Sequence, residues 1–171
     1  MNTVYLGLGS NLGDRLFFLQ QAVLRLDSTP ENKVCRASSL YETEPVGVSS
    51  PQPPYYNAVL ELQTSLSPME LLQLTKNIEH KMGREQKGMR DSRYLDIDLL
   101  LFGNVIMNTP VLKLPHPLLE HRWFVLVPLN ELCPDYTPPG FQLTVNELLK
   151  RLGLPQGVLH LFHEHEWIKT N

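Results

Sequence analysis

The chain has 171 residues, 42% of them hydrophobic and 19% charged, which is ordinary for a globular protein with one sizeable core. Its formal net charge of −3 argues against a general nucleic-acid binder, and its two cysteines, Cys35 and Cys133, lack the spacing of a zinc site or a disulfide framework. No apolar run approaches the length of a membrane span, and the amino terminus lacks the pattern of a signal peptide. We therefore expect a single domain over residues 1–171, cytoplasmic and monomeric.

The chain opens with a predicted strand over Thr3 to Leu8, followed by a tight turn in GSNLGD. This turn lacks the Lys-Ser/Thr ending of a P-loop and misses the GxGxxG spacing of dinucleotide sites, so we interpret it as structural. Asn11 and Asp14 offer a helix start, and apolar residues then recur at helical spacing as far as Leu26.

The next segment, VCRASSLYETEP, predicts a strand that leads into a loop rich in proline, glycine and serine between Thr43 and Pro54. A loop of this length usually has a function or is mobile, and its backbone groups could recognise a flat polar ligand. A strand follows from Tyr55 to Leu62, with Tyr55 and Asn57 on one face. This pair supplies a ring for stacking and an amide for hydrogen bonding, although it also fits an ordinary strand surface.

Ser67-Pro68-Met69-Glu70 is a capping box that begins a second helix, which we expect to end at Gly83. Four basic residues follow within ten positions: Arg84, Lys87, Arg90 and Arg93.

This basic segment runs directly into the apolar run YLDIDLLLF. If the run is a strand, Asp96 and Asp98 share one face, and the other face carries Leu95, Ile97, Leu99 and Leu101. Carboxylates about 6–7 Å apart along a strand can hold hard cations, and nearby arginines can hold phosphate. The pattern indicates metal-assisted phosphoryl chemistry, while the alternative is a pair of surface charges on an edge strand.

Beyond this strand, a turn at Gly103-Asn104 predicts a hairpin with the short strand VIM. Pro115-His116-Pro117 is extended, and residues from Leu118 to Leu132 carry a helical pattern with Arg122 near its start. A capping box at Thr144 predicts a short helix that ends at Gly153. The histidines of the tail alternate with leucine, so we interpret LHLFHEHEW as a terminal strand rather than a metal site.

The order strand, helix, strand, strand, helix, strand over residues 3–102 predicts an α+β fold. We expect the ferredoxin-like split βαβ antiparallel sheet, with helices on its faces and a C-terminal extension. The residues favour phosphoryl or pyrophosphoryl transfer to a flat acceptor, since no arrangement typical of covalent catalysis is evident. The alternatives are a non-catalytic ferredoxin-like module that binds a nucleotide or metal at the same aspartates, and a kinase that transfers only the γ-phosphate.

Several blocks of the chain resemble one known family in the same order. They are YLGLGSNLGD, SSLYETEPVG, PPYYNAVLEL, GRE followed by SRYLDIDLLLF, and LPHPLLEHRWFVLVPL. Together they resemble the 6-hydroxymethyl-7,8-dihydropterin pyrophosphokinases of folate biosynthesis. The resemblance implies transfer of the β,γ-pyrophosphoryl group of ATP to the pterin hydroxymethyl oxygen with two Mg²⁺ ions, and release of AMP.

The same resemblance assigns roles by position. It implies catalytic roles for Arg84 and Arg93, and metal binding by Asp96 and Asp98. The implied ATP site consists of Lys76, Glu79, Arg84, Arg93, Leu99, Leu112, Lys113, His116 and Arg122. The implied pterin site consists of Thr43, Pro45, Val46, Tyr55, Asn57 and Phe124.

The chain departs from the family pattern in its basic segment. It has no tryptophan there, and Asp91 stands where members often carry glycine or alanine. We expect Lys87 or Arg90 to compensate. Pro117 replaces a tyrosine that some members carry after the PH motif.

Overall fold

A six-stranded antiparallel sheet forms the centre of the computed structural model, which describes residues 1–45, 50–83, 94–153, 157–162 and 164–168. The first elements along the chain are β1 (Asn2–Ser10), α1 (Arg15–Asp27), β2 (Asn32–Ala37), β3 (Leu40–Thr43), β4 (Tyr55–Thr64), α2 (Pro68–Lys81) and β5 (Asp96–Phe102). They are followed by β6 (Met107–Asn108), β7 (Lys113–Leu114), a 3₁₀ turn (Leu119–His121), α3 (Trp123–Leu132), α4 (Val145–Leu152), β8 (Val158–Phe162) and α5 (Glu164–Trp167).

The strand order confirms the predicted ferredoxin-like fold. The sheet runs β5-β1-β4-β3-β8, and β2 also pairs with β4. β1 therefore lies antiparallel between β4 and β5, and β4 lies antiparallel between β1 and the pair β2 and β3. This is the interleaving of two split βαβ units.

The two faces of the sheet support separate cores. On one face, α1 and α2 pack against alternate residues of β1 such as Val4, Leu6 and Leu8. On the other face, α3 and α4 pack against Tyr5, Val59 and neighbouring leucines. Because side chains alternate along a strand, the residues of β1 that follow Tyr5 on the α3 face are glycines, which leave space there.

A bulge in β5 corrects one predicted side-chain direction. Leu6 pairs with Leu99 while its neighbour Tyr5 pairs with Leu101, so β5 carries one extra residue at Leu100. A bulge places two successive side chains on the same side of a strand. The prediction that Leu101 shares the face of Ile97 and Leu99 is therefore wrong, since Leu100 and Leu101 both pack in the α3–α4 core.

The predicted hairpin between β5 and VIM is also wrong. The chain turns at Gly103, but Met107–Asn108 pairs with Lys113–Leu114 in a separate two-stranded sheet. The outer edge of β5 is instead met by the segment after the cis Leu114–Pro115 bond, where the N–H of His116 donates to the carbonyl of Leu100 at 2.9 Å. A later segment of the chain thus takes the hydrogen bond that the hairpin would have made.

The helix expected over Leu118 to Leu132 divides at Arg122. Leu119–His121 forms a 3₁₀ turn, Arg122 is extended with φ −126° and ψ 112°, and α3 begins at Trp123. The other helix predictions are confirmed, with Asp14 and the two capping boxes at the expected starts.

The tail contributes a strand, as predicted, but only as far as Phe162. The second half of the predicted strand is wrong, since Glu164–Trp167 forms the short helix α5. β8 pairs antiparallel with β3, and Trp167 of α5 is fully buried in the α1–α2 core. Within the described ranges, no group of three His, Cys, Asp or Glu side chains could hold a metal ion. In the same part of the chain, every helix is too short or too polar to cross a membrane.

Candidate active site

A cavity of about 230 Å³ lies on the α3 face of the sheet, beside the first turn of α3. Its walls come from β1, β3, β4, β5 and the start of α3, so it is built from segments far apart in the chain. The predicted residues that line it are Thr43, Tyr55, Asn57, Asp96, Asp98, Arg122 and Phe124. Residues proposed separately for pterin, metal and ATP therefore share one space.

The floor of the cavity is β1. Gly9 pairs with Asn57 on one side and Asp96 on the other, and Gly7 pairs with Val59 and Asp98. A Cβ atom at Gly9 would lie 3.1 Å from Oδ1 of Asn57, which is tighter than ordinary van der Waals contact. The sequence-based predictions do not include these glycines, although glycine at alternate positions of an apolar strand is a signal of close approach by a ligand or backbone.

One wall carries the amide and aromatic groups. Asn57 is buried, and its Nδ2 donates to Oγ1 of Thr43 at 2.6 Å. Thr43 pairs with Tyr55 in the ladder between β3 and β4, so the three side chains are fixed by strand pairing and one hydrogen bond. Phe124 enters from the start of α3.

The opposite wall carries the two carboxylates. Asp96 and Asp98 are half-buried and project from the same face of β5, as predicted. Burial, followed by the negative charge of Asp96, raises the pKa of Asp98 to about 6. The Asp98 carboxylate, with this cost of ionisation and a second carboxylate beside it, fits a divalent cation, which would offset the negative charge.

Glu79 supports this wall from behind. Its side chain is fully buried, and Oε1 accepts the N–H of Ile97 at 2.8 Å while Oε2 accepts Nζ of Lys76 at 3.1 Å. Ile97 lies between the two aspartates, so Glu79 ties α2 to the backbone from which both project. Lys76 also lowers the pKa of Asp98 through its positive charge.

His116 and Arg122 lie near the carboxylate wall. Nδ1 of His116 accepts the N–H of Leu118 at 3.1 Å, which leaves Nε2 as the protonated nitrogen of the neutral ring. Burial, followed by the charge of Arg122, lowers the pKa of His116, so the ring is neutral at pH 7. The guanidinium carbon of Arg122 lies 5.3 Å from the centroid of the Phe124 ring.

Other predicted site residues are placed elsewhere. Val46, Arg84 and Arg93 lie outside the described residues, as do Lys87, Arg90 and Asp91. Leu99 and Leu112 are buried in the α1–α2 core, and Lys113 is exposed on β7. Among the described residues that line the cavity, Leu99, Leu112 and Lys113 are absent. Pro45 lies two residues after Thr43 and is the last residue described before position 50.

Asn11 holds a segment beside the site in place. The sequence-based predictions do not assign it this role. It is buried, and its Nδ2 donates to the carbonyl of Pro53 at 3.2 Å and to Gln52 at 3.3 Å. The GSNLGD turn therefore holds the end of the proline-rich loop just before Tyr55. Nothing local in the sequence signals this contact, because it joins positions about forty residues apart.

Known proteins match this chain over most of its length. The model of the family 7,8-dihydro-6-hydroxymethylpterin-pyrophosphokinase (HPPK) matches residues 5–134. A 2-amino-4-hydroxy-6-hydroxymethyldihydropteridine pyrophosphokinase from Bacillus subtilis is 44% identical over 132 residues, which cover 77% of this chain and 78% of that protein. The Haemophilus influenzae protein of the same name is 36% identical over 171 residues, which cover 100% of this chain and 99% of that protein.

Solved structures agree on the fold. An HPPK-DHPS crystal structure in complex with substrates superposes with a TM-score of 0.72 at 15% identity, over 88% of this chain and 43% of that one. The chain thus spans less than half the length of that protein, and at this identity the likeness concerns the fold alone. Together with the family match over residues 5–134, these comparisons identify the chain as a member of the 7,8-dihydro-6-hydroxymethylpterin-pyrophosphokinase family.

Proposed function

We propose that this chain transfers the pyrophosphoryl group of ATP to the hydroxymethyl oxygen of 6-hydroxymethyl-7,8-dihydropterin, giving AMP and the pterin diphosphate in folate biosynthesis. The observation that carries the proposal is the pairing of β1, which sets Asn57 and Asp96 on opposite sides of Gly9. A group suited to a flat polar ring and a group suited to cation-bound phosphate thus face one cavity. The relatives named above are pyrophosphokinases, which supports the same reaction.

The acceptor is bound on the wall formed by β4. An asparagine amide carries two N–H donors and an acceptor oxygen, so Asn57 can bond to Thr43 and still read the edge of the pterin. Tyr55 and Phe124 supply the rings that stack on its two faces. Pro45 and Val46 extend this site through the loop that follows Thr43.

The nucleotide is bound on the wall formed by β5. Asp96 and Asp98 would hold two Mg²⁺ ions, which would neutralise the charge of the triphosphate. Arg122 adds fixed positive charge, and Nε2 of His116 donates a hydrogen bond to a phosphate oxygen because its ring is neutral and Nδ1 is occupied. Arg84 and Arg93 complete the phosphate contacts and stabilise developing charge.

The chemical step is a direct displacement. The hydroxymethyl oxygen forms a bond to the β-phosphorus, while the bond from that phosphorus to the oxygen bridging the α- and β-phosphates breaks. AMP leaves with the bridging oxygen, and the hydroxyl proton is released.

Identification of the nucleotide product tests the proposal. The purified chain is incubated with 6-hydroxymethyl-7,8-dihydropterin, ATP and Mg²⁺, and the expected products are AMP and a pyrophosphorylated pterin. ADP would instead indicate transfer of the γ-phosphate, and absence of turnover would indicate a binding module. We expect Asp98→Asn to lower turnover by about 10³-fold, because it removes a metal-binding charge. Asp135→Asn, the same change at an exposed position after α3, is the matched control.

We also place the enzyme in the cytosol. Cys35 and Cys133 are free thiols, and Cys35 is exposed, which suits a reducing compartment.

A further inference from the structure

Arg15 is the first residue of α1 and lies on the side of the sheet opposite the cavity. Its Nη1 donates to the carbonyl oxygen of Pro54 at 2.7 Å and to Oε2 of Glu42 at 3.1 Å. Its guanidinium carbon also lies 3.7 Å from the centroid of the Tyr56 ring. One planar cation thus makes a hydrogen bond, an ion pair and a stacking contact at the same place.

Each of these partners is the chain neighbour of a residue that lines the cavity. Glu42 precedes Thr43, and Pro54 and Tyr56 flank Tyr55. Glu42 and Tyr56 are also paired directly across β3 and β4, next to the pair of Thr43 and Tyr55 that ends this ladder. Because side chains alternate along a strand, Arg15 contacts the face of β3 and β4 that points away from the cavity. The opposite face of the same strand ends carries Thr43 and Tyr55, which line the cavity.

β3 and β4 separate at this position, so their ends need contacts other than strand pairing to hold them in place. Beyond Thr43 and before Tyr55 the chain runs through the proline-rich loop, and among the residues described there no further pair of this ladder follows. The contacts of Arg15 replace the missing pairs and fix Pro54, the last residue before β4. An isolated surface ion pair contributes little, but three simultaneous contacts define both the position and the plane of the guanidinium.

We propose that Arg15 is a positioning residue for pterin binding, which acts through Glu42, Pro54 and Tyr56 to hold Thr43 and Tyr55 in place. The inference rests on the proposed function, since it assigns Arg15 to the pterin side of that site. It predicts an effect on one substrate only, because Arg15 contacts neither β5 nor the carboxylate wall in the described structure.

The test is steady-state kinetics of Arg15→Ala with each substrate varied in turn. We expect the KM for 6-hydroxymethyl-7,8-dihydropterin to rise about tenfold, because displacement of positioning groups by a fraction of an ångström is costly. The KM for ATP and the kcat at saturation should stay within about twofold. Arg15→Lys should recover only part of the loss, since lysine keeps the ion pair with Glu42 but not the planar stacking. Arg25→Ala, an exposed arginine on the same helix, is the control and should leave all constants unchanged.

A double-mutant cycle with Glu42→Ala examines the route of the effect. If Arg15 acts partly through Glu42, the double variant should lose less pterin affinity than the sum of the two single losses.

An unchanged pterin KM in Arg15→Ala would overturn the proposal. A loss shared equally by both substrates, or a kcat that falls in proportion to the folded fraction, would also overturn it and assign Arg15 a general structural role. Calorimetric titration of the pterin into wild type and Arg15→Ala, with Mg²⁺ and a non-hydrolysable ATP analogue, separates the two hypotheses. If the wild type binds pterin but forms no AMP, the proposed reaction fails while the affinity ratio still decides the role of Arg15.

Discussion

Asp98 shows how a single residue of the candidate site lowers the stability of the protein in the absence of metal. Its carboxylate is half-buried and close to Asp96, and both conditions disfavour the charged form. The positive charges of Lys76 and Arg122 offset this only in part, because the pKa is still raised to about 6. At neutral pH the side chain is ionised, so in the absence of a bound cation its charge lowers the stability of the folded state.

The stability of Asp98→Asn should therefore depend on pH in a defined way. The pKa of Asp98 is about 6 in the folded chain against 3.8 for the free side chain, so the folded state holds the proton more tightly. Its favourable contribution is complete below about pH 4 and is lost as the pH rises through about 6. Without metal, the variant should match wild type near pH 4 and exceed it at pH 7 by at most about 3 kcal/mol.

Urea denaturation of both proteins across this range, in the absence of Mg²⁺, measures the difference. A constant difference between them, or a variant less stable than wild type at pH 7, would contradict the assignment of the raised pKa to Asp98.

The alternation of side chains along a strand predicts some residues of the candidate site, but not the residues that hold them in place. The period of two along β4 and β5 places Tyr55 with Asn57, and Asp96 with Asp98, on the faces where they are found. The bond between Asn57 and Thr43 and the contacts of Asn11 join distant segments, so no local pattern predicts them. Arg122 was identified by family resemblance, while its extended backbone before α3 depends on packing.

Among the elements, β1 has the most direct effect on the cavity, because its glycines form the floor. The two positions differ in what an added methyl group would meet. At Gly9 it would lie 3.1 Å from Oδ1 of Asn57, whereas at Gly7 it would lie 3.5 Å from the side chain of Leu100, an ordinary contact.

Alanine substitutions of these glycines should therefore have different effects. We expect Gly9→Ala to raise the pterin KM about tenfold by displacing the Asn57 amide, and Gly7→Ala to change it by less than about twofold. Steady-state kinetics with the pterin varied at saturating ATP measures both. Equal effects of the two substitutions would show that the strand, rather than the contact with Asn57, is being disturbed.

Element types followed from the sequence more reliably than element partners did. The capping boxes at Ser67 and Thr144 are local signals and begin helices where expected. Met107–Asn108 pairs with Lys113–Leu114 rather than with β5. The backbone of His116, which comes later in the chain, bonds to the edge of β5 instead, and no local pattern predicts this. The bulge at Leu100 likewise reflects the pairing of β5 with β1, which leaves no mark on the apolar run itself.

For the molecule as a whole, the C-terminal tail is part of the fold even though the family match ends at residue 134. Trp167 is fully buried, and its Nε1 donates to the carbonyl of Ser38 at 2.9 Å. Its own carbonyl accepts Nε2 of Gln20 at 2.7 Å, so the tail joins α1 to the segment between β2 and β3. β8 meanwhile pairs with β3 as far as Thr43.

Substitution of Trp167 should consequently destabilise the whole domain. We expect Trp167→Ala to lower the free energy of unfolding by about 3–5 kcal/mol, the range found for large aromatic residues removed from a core. Trp167→Phe keeps most of the apolar volume but not the hydrogen bond to Ser38, so it should cost about 1–2 kcal/mol. Equilibrium denaturation monitored by circular dichroism gives both values. Little change in Trp167→Ala would mean that the tail is only loosely attached to the domain.

The position of β1 between β4 and β5 has a consequence for substrate choice. Neighbouring strands lie about 4.8 Å apart, so the backbones at Asn57 and Asp96 are separated by about 10 Å across Gly9. In the proposed reaction, the width of one strand therefore separates the ring that accepts the group from the phosphates that supply it. An acceptor whose alcohol arm is one carbon longer or shorter would bind the same wall, yet its oxygen would overshoot or fall short of the phosphorus. The proposed function therefore implies that the acceptor is selected by the length of its alcohol arm.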